Sequence, residues 1–340
     1  FDFVKIFRVN KSISIDLGTA NILIYDKQRK KIVLNEPSVV ARDRKTGRLI
    51  AVGKEAREML GKTPDSIQAI KPLQDGVIAD IDSTKEMITY FIHKIYGNSL
   101  FKPEVMICVP IEVTSVERKA LFDAVKGAKK TYIIEEGRAA IIGSGVDISQ
   151  PEGSMVIDIG GGSTDIAILS LDEIIASKSI RIAGNRFDED IVRYVKRKYN
   201  LLIGDRTAEK IKKELGSALK VQSPEVMEIK GRDLETGIPN TVEVNANEIY
   251  EAIEDSLFQI VNSTKEVLEK CPPELAADIL DNGIVMTGGG SLIRNFIDMM
   301  EKEVGIKVFL SPNPLDSVVL GGGAAFDNKK LLRTLQMKEN

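Results

Sequence analysis

The sequence predicts an α/β protein made of two similar lobes, and three observations carry that prediction. Segments patterned as strands alternate with segments patterned as helices along all 340 residues, a length that supports more than one core. Strands interleaved with helices imply a parallel or mixed sheet covered on both faces. A strand–turn–strand with an aspartate near the end of its first strand also occurs twice, half a chain apart. The copies are "SIDLGTANILI", around Asp16, and "VIDIGGGSTDIAI", from Val156 to Ile168.

The elements follow in order. "KSISIDLGTANILIYD" reads as two strands joined at Gly18-Thr19-Ala20, and "KKIVLNEPSVVARD" as two more broken at Pro37. "GKEAREMLG" is a short helix. "STKEMITYFIHKIYG" is a longer one, with Met87, Ile88, Phe91, Ile92 and Ile95 at helical spacing. "EVMICVPI" is a buried strand, followed by the helix "SVERKALFDAVKGA" and the strand "TYIIEE". The second strand–turn–strand then opens a repeat of the alternation. A third glycine triplet, in "IVMTGGGSLIRNF" (Ile284 to Phe296), follows a strand and leads straight into a helix. A fourth lies in "VVLGGGAAF", Val318 to Phe326.

Composition removes several classes of function. A net charge of −3 argues against a protein that coats duplex nucleic acid, and no tryptophan with 5% aromatics argues against a base-stacking platform. Cys108 and Cys271 are the only cysteines and form no Cys-x-x-Cys pair, so metal clusters and a disulfide framework are not expected, and a reducing cytoplasm fits best. Cys108 lies in the apolar run "VMICVP" and reads as a buried small hydrophobe. His93 is the only histidine and falls on a helix surface, which weakens Ser-His and Cys-His catalysis. No apolar stretch approaches the ~20 residues of a spanning helix, and the chain start lacks the pattern of a signal peptide.

Glycine clusters suggest phosphate binding, because bare backbone lets amide N–H groups approach oxyanions. The common signatures fail here. The one "GKT", Gly61-Lys62-Thr63, has Ala56 where a Walker A loop needs its first glycine. No triplet extends to Gly-x-Gly-x-x-Gly, since Asp165, Ile293 and Phe326 stand at the third position after each. Two hairpin turns remain, each preceded by an aspartate. Turn amides and the hydroxyls of Thr19, Ser163 and Thr164 can cradle phosphates. Asp16 and Asp158 would repel a bare triphosphate and make sense with Mg²⁺ held through its retained waters. The third triplet suits an adenosine or α-phosphate contact, and the Gly18-Thr19-Ala20 turn and the three glycine triplets together, in a duplicated chain, read as phosphate-binding equipment more than as tight turns.

These residues resemble the actin-like ATPase superfamily, which includes sugar kinases and heat-shock chaperone ATPases. "DLGTAN", "LNEPSVVA", "GKTP", "DGVIAD", "VERKA", "IDIGGG", "RTAEKIKKELG", "CPPELAADI" and "TGGGSLIRN" are similar, in order over almost the whole chain, to the MreB family of bacterial actins. The resemblance implies four subdomains around a nucleotide cleft. Subdomain IA would span 1–31, 74–139 and 316–340, with IB at 32–73. Subdomain IIA would span 140–181 and 246–315, with IIB at 182–245. It also implies ATP-dependent double protofilaments at the inner membrane face and partnership with other shape-determining proteins. Gly18, Thr19, Ala20 and Asn21 match the first phosphate loop. Gly160, Gly161, Gly162, Ser163 and Thr164 match the second, and Gly288, Gly289, Gly290 and Ser291 the adenosine loop. Glu209 and Lys212 match positions beside the ribose and base, although one helical turn apart they equally fit a solvated salt bridge.

The same resemblance assigns hydrolysis to Glu136, which would orient an attacking water, and to a threonine position held here by Ser163. Serine keeps the hydroxyl and loses the methyl that limits its rotamers. Gly137-Arg138 replaces a usual proline after the glutamate pair, Ile22 a threonine, and Asp165 a glutamate. A site that binds Mg·ATP and hydrolyses it slowly is the expectation. "FDFVKIFR" places Phe3, Val4, Ile6 and Phe7 on one helical face, which would form on an anionic bilayer; an N-terminal strand docked on the core is the other reading. Leu100 and Phe101 form a second apolar tip, matching a membrane-contacting loop of the family or a packed loop. The basic, amphipathic "NKKLLRTLQMKEN" could add attraction to anionic lipid.

Two other functions compete. A superfamily kinase acting on a small molecule needs a catalytic base for its acceptor, and no candidate stands out beyond Glu136 and the two aspartates. A chaperone ATPase needs a substrate-binding domain, which is not expected because the sequence stops soon after the fourth triplet.

Overall fold

The computed structural model describes residues 11–97 and 102–336. In chain order the first part holds β1 (Ser12–Leu17), β2 (Asn21–Asp26), β3 (Lys31–Pro37), β4 (Val40–Asp43), β5 (Leu49–Val52), α1 (Lys54–Met59), β6 (Ile67–Ile70), β7 (Leu73–Gln74), β8 (Val77–Ile78), α2 (Ile81–Tyr96), β9 (Glu104–Val109), α3 (Ser115–Ala124), β10 (Lys130–Glu135) and α4 (Glu136–Gly143). Next come β11 (Ser154–Ile159), β12 (Thr164–Ser170), β13 (Glu173–Ile180), α5 (Gly184–Tyr199), β14 (Leu201–Leu202), α6 (Asp205–Leu215), β15 (Val226–Asp233), β16 (Pro239–Asn245) and α7 (Ala246–Glu269). The last elements are α8 (Pro273–Asn282), β17 (Ile284–Thr287), α9 (Phe296–Val304), β18 (Val308–Leu310), α10 (Ser317–Ala324) and α11 (Lys329–Leu335).

Two units result, one from residues up to Gly145 and from Asp316 onward, the other from Val146 to Leu315. The first is built on a sheet of order β3-β2-β1-β9-β10, in which β1, β2 and β3 are antiparallel neighbours and β9 and β10 run parallel to β1. Apolar side chains at Ile13, Ile15 and Leu17 bury one face, and Ser12 and Ser14 are buried on the other, as a sheet covered on both sides requires. Helix α2 lays Met87, Ile88 and Phe91 on the core and opens with Asp80 accepting from the Ser83 N–H at 2.8 Å. A smaller sheet, β5-β4-β6, closes with α1 over Val39, Ala41, Ala51 and Ala56.

The second unit repeats the plan. Its sheet has the order β13-β12-β11-β17-β18, again an antiparallel trio followed by two parallel strands. Strand β12 is buried at every position, while α5 and α7 contribute Phe187, Ile191, Ile253 and Leu257 to the core. Helix α7 starts with a capping box between Asn245 and Glu248. A three-stranded sheet, β14-β15-β16, completes the unit.

The fourth triplet, read with the others as phosphate-binding equipment, lies inside a helix: Gly321, Gly322 and Gly323 belong to α10. A Cβ on Gly321 would stand 1.7 Å from the Ala139 carbonyl oxygen, and one on Gly143 1.8 Å from that of Ser317. Helices α4 and α10 therefore meet backbone to backbone, and these glycines serve close packing. Residues 140–145 fall in the first unit.

Candidate functional site

In the first unit, β1 delivers Asp16 just before the turn Gly18–Ala20. A Cβ at Gly18 would lie 2.7 Å from the Asn21 carbonyl oxygen, so the turn accepts only glycine there. The Ser38 hydroxyl donates to Gly18 O at 2.7 Å, and the Ser38 N–H donates to Ala20 O at 3.0 Å. Thr19 is buried, and its hydroxyl oxygen accepts from the Gly76 N–H at 3.1 Å while keeping its own proton to donate. The turn is held from behind by groups that are distant in sequence.

Asp16 sits opposite Leu23 on β2 and Cys108 on β9. Burial, with Asp316 beside it, pushes its carboxyl up to about 7, and burial also raises Asp316. A carboxylate in this setting gains from a cation, so Asp16 fits a Mg²⁺ carried in on phosphate oxygens. Glu136 begins α4 and is buried; the preceding Glu135 faces Arg138 Nε at 3.3 Å and Arg118 Nη2 at 3.8 Å.

In the second unit, Asp158 is buried on β11, directly across from Asp165 on β12 and beside Thr287 on β17. The Gly160–Ser163 turn closes through Gly160 N–H to Ser163 O at 2.9 Å. The first amides of α5 donate to it, Gly184 to Gly160 O at 3.1 Å and Asn185 to Gly161 O at 2.8 Å, so the turn's carbonyls are occupied from the helix side. Thr164 is fully buried and its hydroxyl donates to Ile182 O at 2.6 Å.

The third triplet lies against that same turn. Gly288 has φ +81°, and a Cβ there would meet Ile159 O at 2.3 Å and Asp158 Oδ1 at 2.7 Å. A Cβ on Gly290 would meet the Ile159 side chain at 2.3 Å. The Ser291 hydroxyl donates to Gly288 O at 2.6 Å. The segment does not run straight into a helix, as expected: a 3-10 turn covers Gly289–Leu292, Asn295 takes φ +60°, and α9 starts at Phe296.

Glu209 and Lys212 on α6 do not pair with each other as the salt-bridge reading would have it. Glu209 meets Lys213 at 2.7 Å, whereas Lys212 Nζ donates to Gly184 O and to Asp188, both at 2.9 Å. Burial pushes the Asp188 carboxyl up to about 6 against the pull of the Lys212 ammonium. Lys212 therefore stands beside the 160–162 turn through Gly184. The structure thus gathers Gly160–Thr164, Lys212 and Gly288–Ser291 in one unit, and Gly18–Asn21, Asp16 and Glu136 in the other. Sequence reasoning missed Asp188, Asp316, Ser38 and Gly184, and of these only Gly184 carried a signal, as a glycine between a strand and a helix.

A family model described as MreB/Mbl protein matches residues 10–334. The chain belongs to the MreB/Mbl family. It is 49% identical to the cell shape-determining protein Mbl of Bacillus subtilis (strain 168), over 94% of this chain and 96% of that one. It is 47% identical to the cell shape-determining protein MreB of Escherichia coli (strain K12), over 94% of each. Among solved structures, MreB5 of Spiroplasma citri, bound to ADP or to AMPPNP, matches with a TM-score of 0.89 and 39% identity, over 95% of this chain and 98% of that one. The fold is actin-like, and a small-molecule kinase is not favoured, since relatives that span nearly the whole chain are cell-shape proteins.

Within this MreB/Mbl chain, Phe3, Val4, Ile6, Phe7, Leu100 and Phe101 lie outside the described residues. Among the described residues no helix is long and apolar enough to cross a membrane. Cys108 is fully buried and His93 is exposed on α2, as their patterns suggested.

Proposed function

We propose that this chain binds ATP and ADP with Mg²⁺, assembles into double protofilaments with ATP, and hydrolyses the nucleotide slowly in the service of cell shape. The observation that carries this reading is the repetition of one device. Strands β1–β2 and β11–β12 occupy equivalent places in two sheets of identical order, and each pair turns on glycine next to an aspartate. The nucleotides bound to MreB5 of Spiroplasma citri support the same assignment.

The residues assigned to the nucleotide are Gly18–Asn21 in the first unit and Gly160–Thr164, Glu209, Lys212 and Gly288–Ser291 in the second. Amides of the glycine turns and the hydroxyls of Thr19 and Ser163 donate to phosphate oxygens. Asp16 in the first unit and Asp158 in the second are the carboxylates that would hold Mg²⁺, and the ion would supply positive charge that offsets the phosphates. Glu136, at the start of α4, accepts a hydrogen bond from the attacking water and sets its direction. Ser163, with a hydroxyl freer to rotate than a threonine's, makes that step slow.

Phosphate release followed alongside light scattering and electron microscopy tests the reading. Mg·ATP should produce filaments at micromolar protein. Glu136→Ala should lower phosphate release roughly a hundredfold while nucleotide affinity is kept. Unchanged release in that variant would remove Glu136 from its role, and phosphate transfer to a sugar without assembly would sink the filament reading. Residence in the cytoplasm, attachment to an anionic membrane and contacts with other shape-determining proteins rest on sequence and family alone. Liposome co-sedimentation of protein lacking residues 1–8 and carrying Phe101→Ser tests the attachment, and unchanged pelleting refutes it.

A further inference from the structure

The segment that carries the third glycine triplet is pinned at both ends, and the second pin has no place in the function described so far. At its start, Gly288 N–H donates to Pro314 O at 2.8 Å, and Gly288 and Gly290 press on Ile159. At its end, Arg294 spreads its guanidinium over three partners. Nη1 and Nη2 grip the Glu225 carboxylate as a fork, at 2.6 and 3.1 Å. Nη2 and Nε also donate to the Leu215 and Gly216 carbonyls, at 3.3 and 3.4 Å. Those carbonyls are the last of α6, orphaned by the helix end and favourable to a cation.

The backbone reinforces the grip. Arg294 O accepts from the Ala218 N–H at 2.7 Å, and Asn295 Nδ2 donates to the Ser217 hydroxyl at 3.0 Å. Asn295 takes the left-handed conformation that this geometry demands. Helix α6 is thus fastened at its C-terminus to the glycine segment and, through Lys212 and Gly184, to the start of α5 beside the 160–162 turn. Both members of the pair that Arg294 joins, α6 and residues 288–291, are the elements assigned to the nucleoside.

We infer that Arg294, held by Glu225, is a positioning residue that sets the spacing between α6 and the glycine segment, and so the affinity for the nucleoside half of the nucleotide. The inference rests on the nucleotide reading above. Arg294 need not touch the ligand. Its planar fork is what matters, because a lysine keeps the charge but cannot meet a carboxylate and two carbonyls at once.

The test uses the full chain with Mg²⁺ and compares ATP with inorganic tripolyphosphate, which lacks the nucleoside. Arg294→Lys should bind ATP about tenfold more weakly, the factor expected for loss of a charge-assisted hydrogen bond. Tripolyphosphate affinity and turnover at saturating ATP should be unmoved, so KM rises and kcat does not. Glu225→Gln, which leaves the helix carbonyls capped, should shift ATP affinity in the same direction by less. Equal weakening of ATP and tripolyphosphate, or unchanged ATP affinity with a lowered melting temperature, would overturn the inference. If Arg294→Lys does not fold, Glu225→Gln decides by the same comparison. Wild-type protein that binds no ATP would instead defeat the nucleotide reading itself.

Discussion

The two units share one sheet order, yet they use their glycines differently. In the first unit the tightest glycines lie in helices: Gly143 and Gly321 bring α4 and α10 into backbone contact, and Gly322 and Gly323 would press a Cβ onto Ser14 and Tyr25. In the second unit Gly288 and Gly290, in the segment that follows β17, close on Asp158 and Ile159. Triplets that read alike as sequence therefore do different work. What decides between them is the atom an added Cβ would strike, and that atom comes from a distant part of the chain.

This contrast can be broken most forcefully at α10. Gly321→Ala drives a methyl into the Ala139 carbonyl, which neither helix can yield without separating from the other. We expect a loss of roughly 3 kcal/mol or more in stability, visible as a large drop in melting temperature or as insoluble protein. Gly160→Ala in the second unit places its Cβ 3.3 Å from Ser163 O and should cost far less stability. Equal melting of the two variants would show that the helix contact is not as close as described.

A second test concerns Asp16 in the first unit. Asp16 is raised to about 7 by burial and Asp316. Because its folded value exceeds the unfolded one, the folded protein retains a proton that the unfolded chain releases above pH 4. Stability through this group is therefore greatest in acid and falls as pH rises toward 7, after which the loss is complete. The lowered carboxylates at Asp43, Asp147, Asp233 and Glu266 act in the opposite sense, but their gain is in place by about pH 5. Between pH 5 and pH 8, with nucleotide and metal removed by chelation, wild-type protein should lose on the order of 2 kcal/mol. Asp16→Asn should remove most of that slope, leaving the smaller part that Asp188, raised to about 6, contributes toward pH 6. A slope unchanged in the variant would assign it to other groups.

Much of the site was legible because its signals are local. A strand, an aspartate, a glycine turn and a second strand occupy one short run, so β1–β2 and β11–β12 could be read directly, as could the amphipathic face of α2 with Met87, Ile88 and Phe91. The rest depended on what the fold brings near. Nothing beside Lys212 indicates that its ammonium would choose Asp188 and Gly184 O over Glu209. Nothing in "VVLGGGAAF" says that α4 would lie against it. Arg294 sits in a motif that was read for its glycines, and its fork closes on Glu225 only once β15 and α6 have packed.

The smallest effect concerns Ser163, the serine proposed above to slow hydrolysis. It is buried at the mouth of the Gly160–Ser163 turn, and the Ser163 carbonyl closes that turn by accepting from Gly160. That bond fixes its backbone, and a serine has three staggered χ1 positions open to it in principle. Ser163→Thr adds a methyl that removes part of that choice, and the neighbouring Thr164 shows that the turn already admits a fully buried threonine. Restricting the rotamer should favour the hydroxyl's productive direction by a few tenths of a kcal/mol, which corresponds to phosphate release about twofold faster. Nucleotide affinity should stay level, because the hydroxyl itself is retained. A slower rate in Ser163→Thr would mean that the serine is the better residue in this turn and that slow hydrolysis has its origin elsewhere, with Gly137 and Arg138 next to Glu136 as the first residues to exchange.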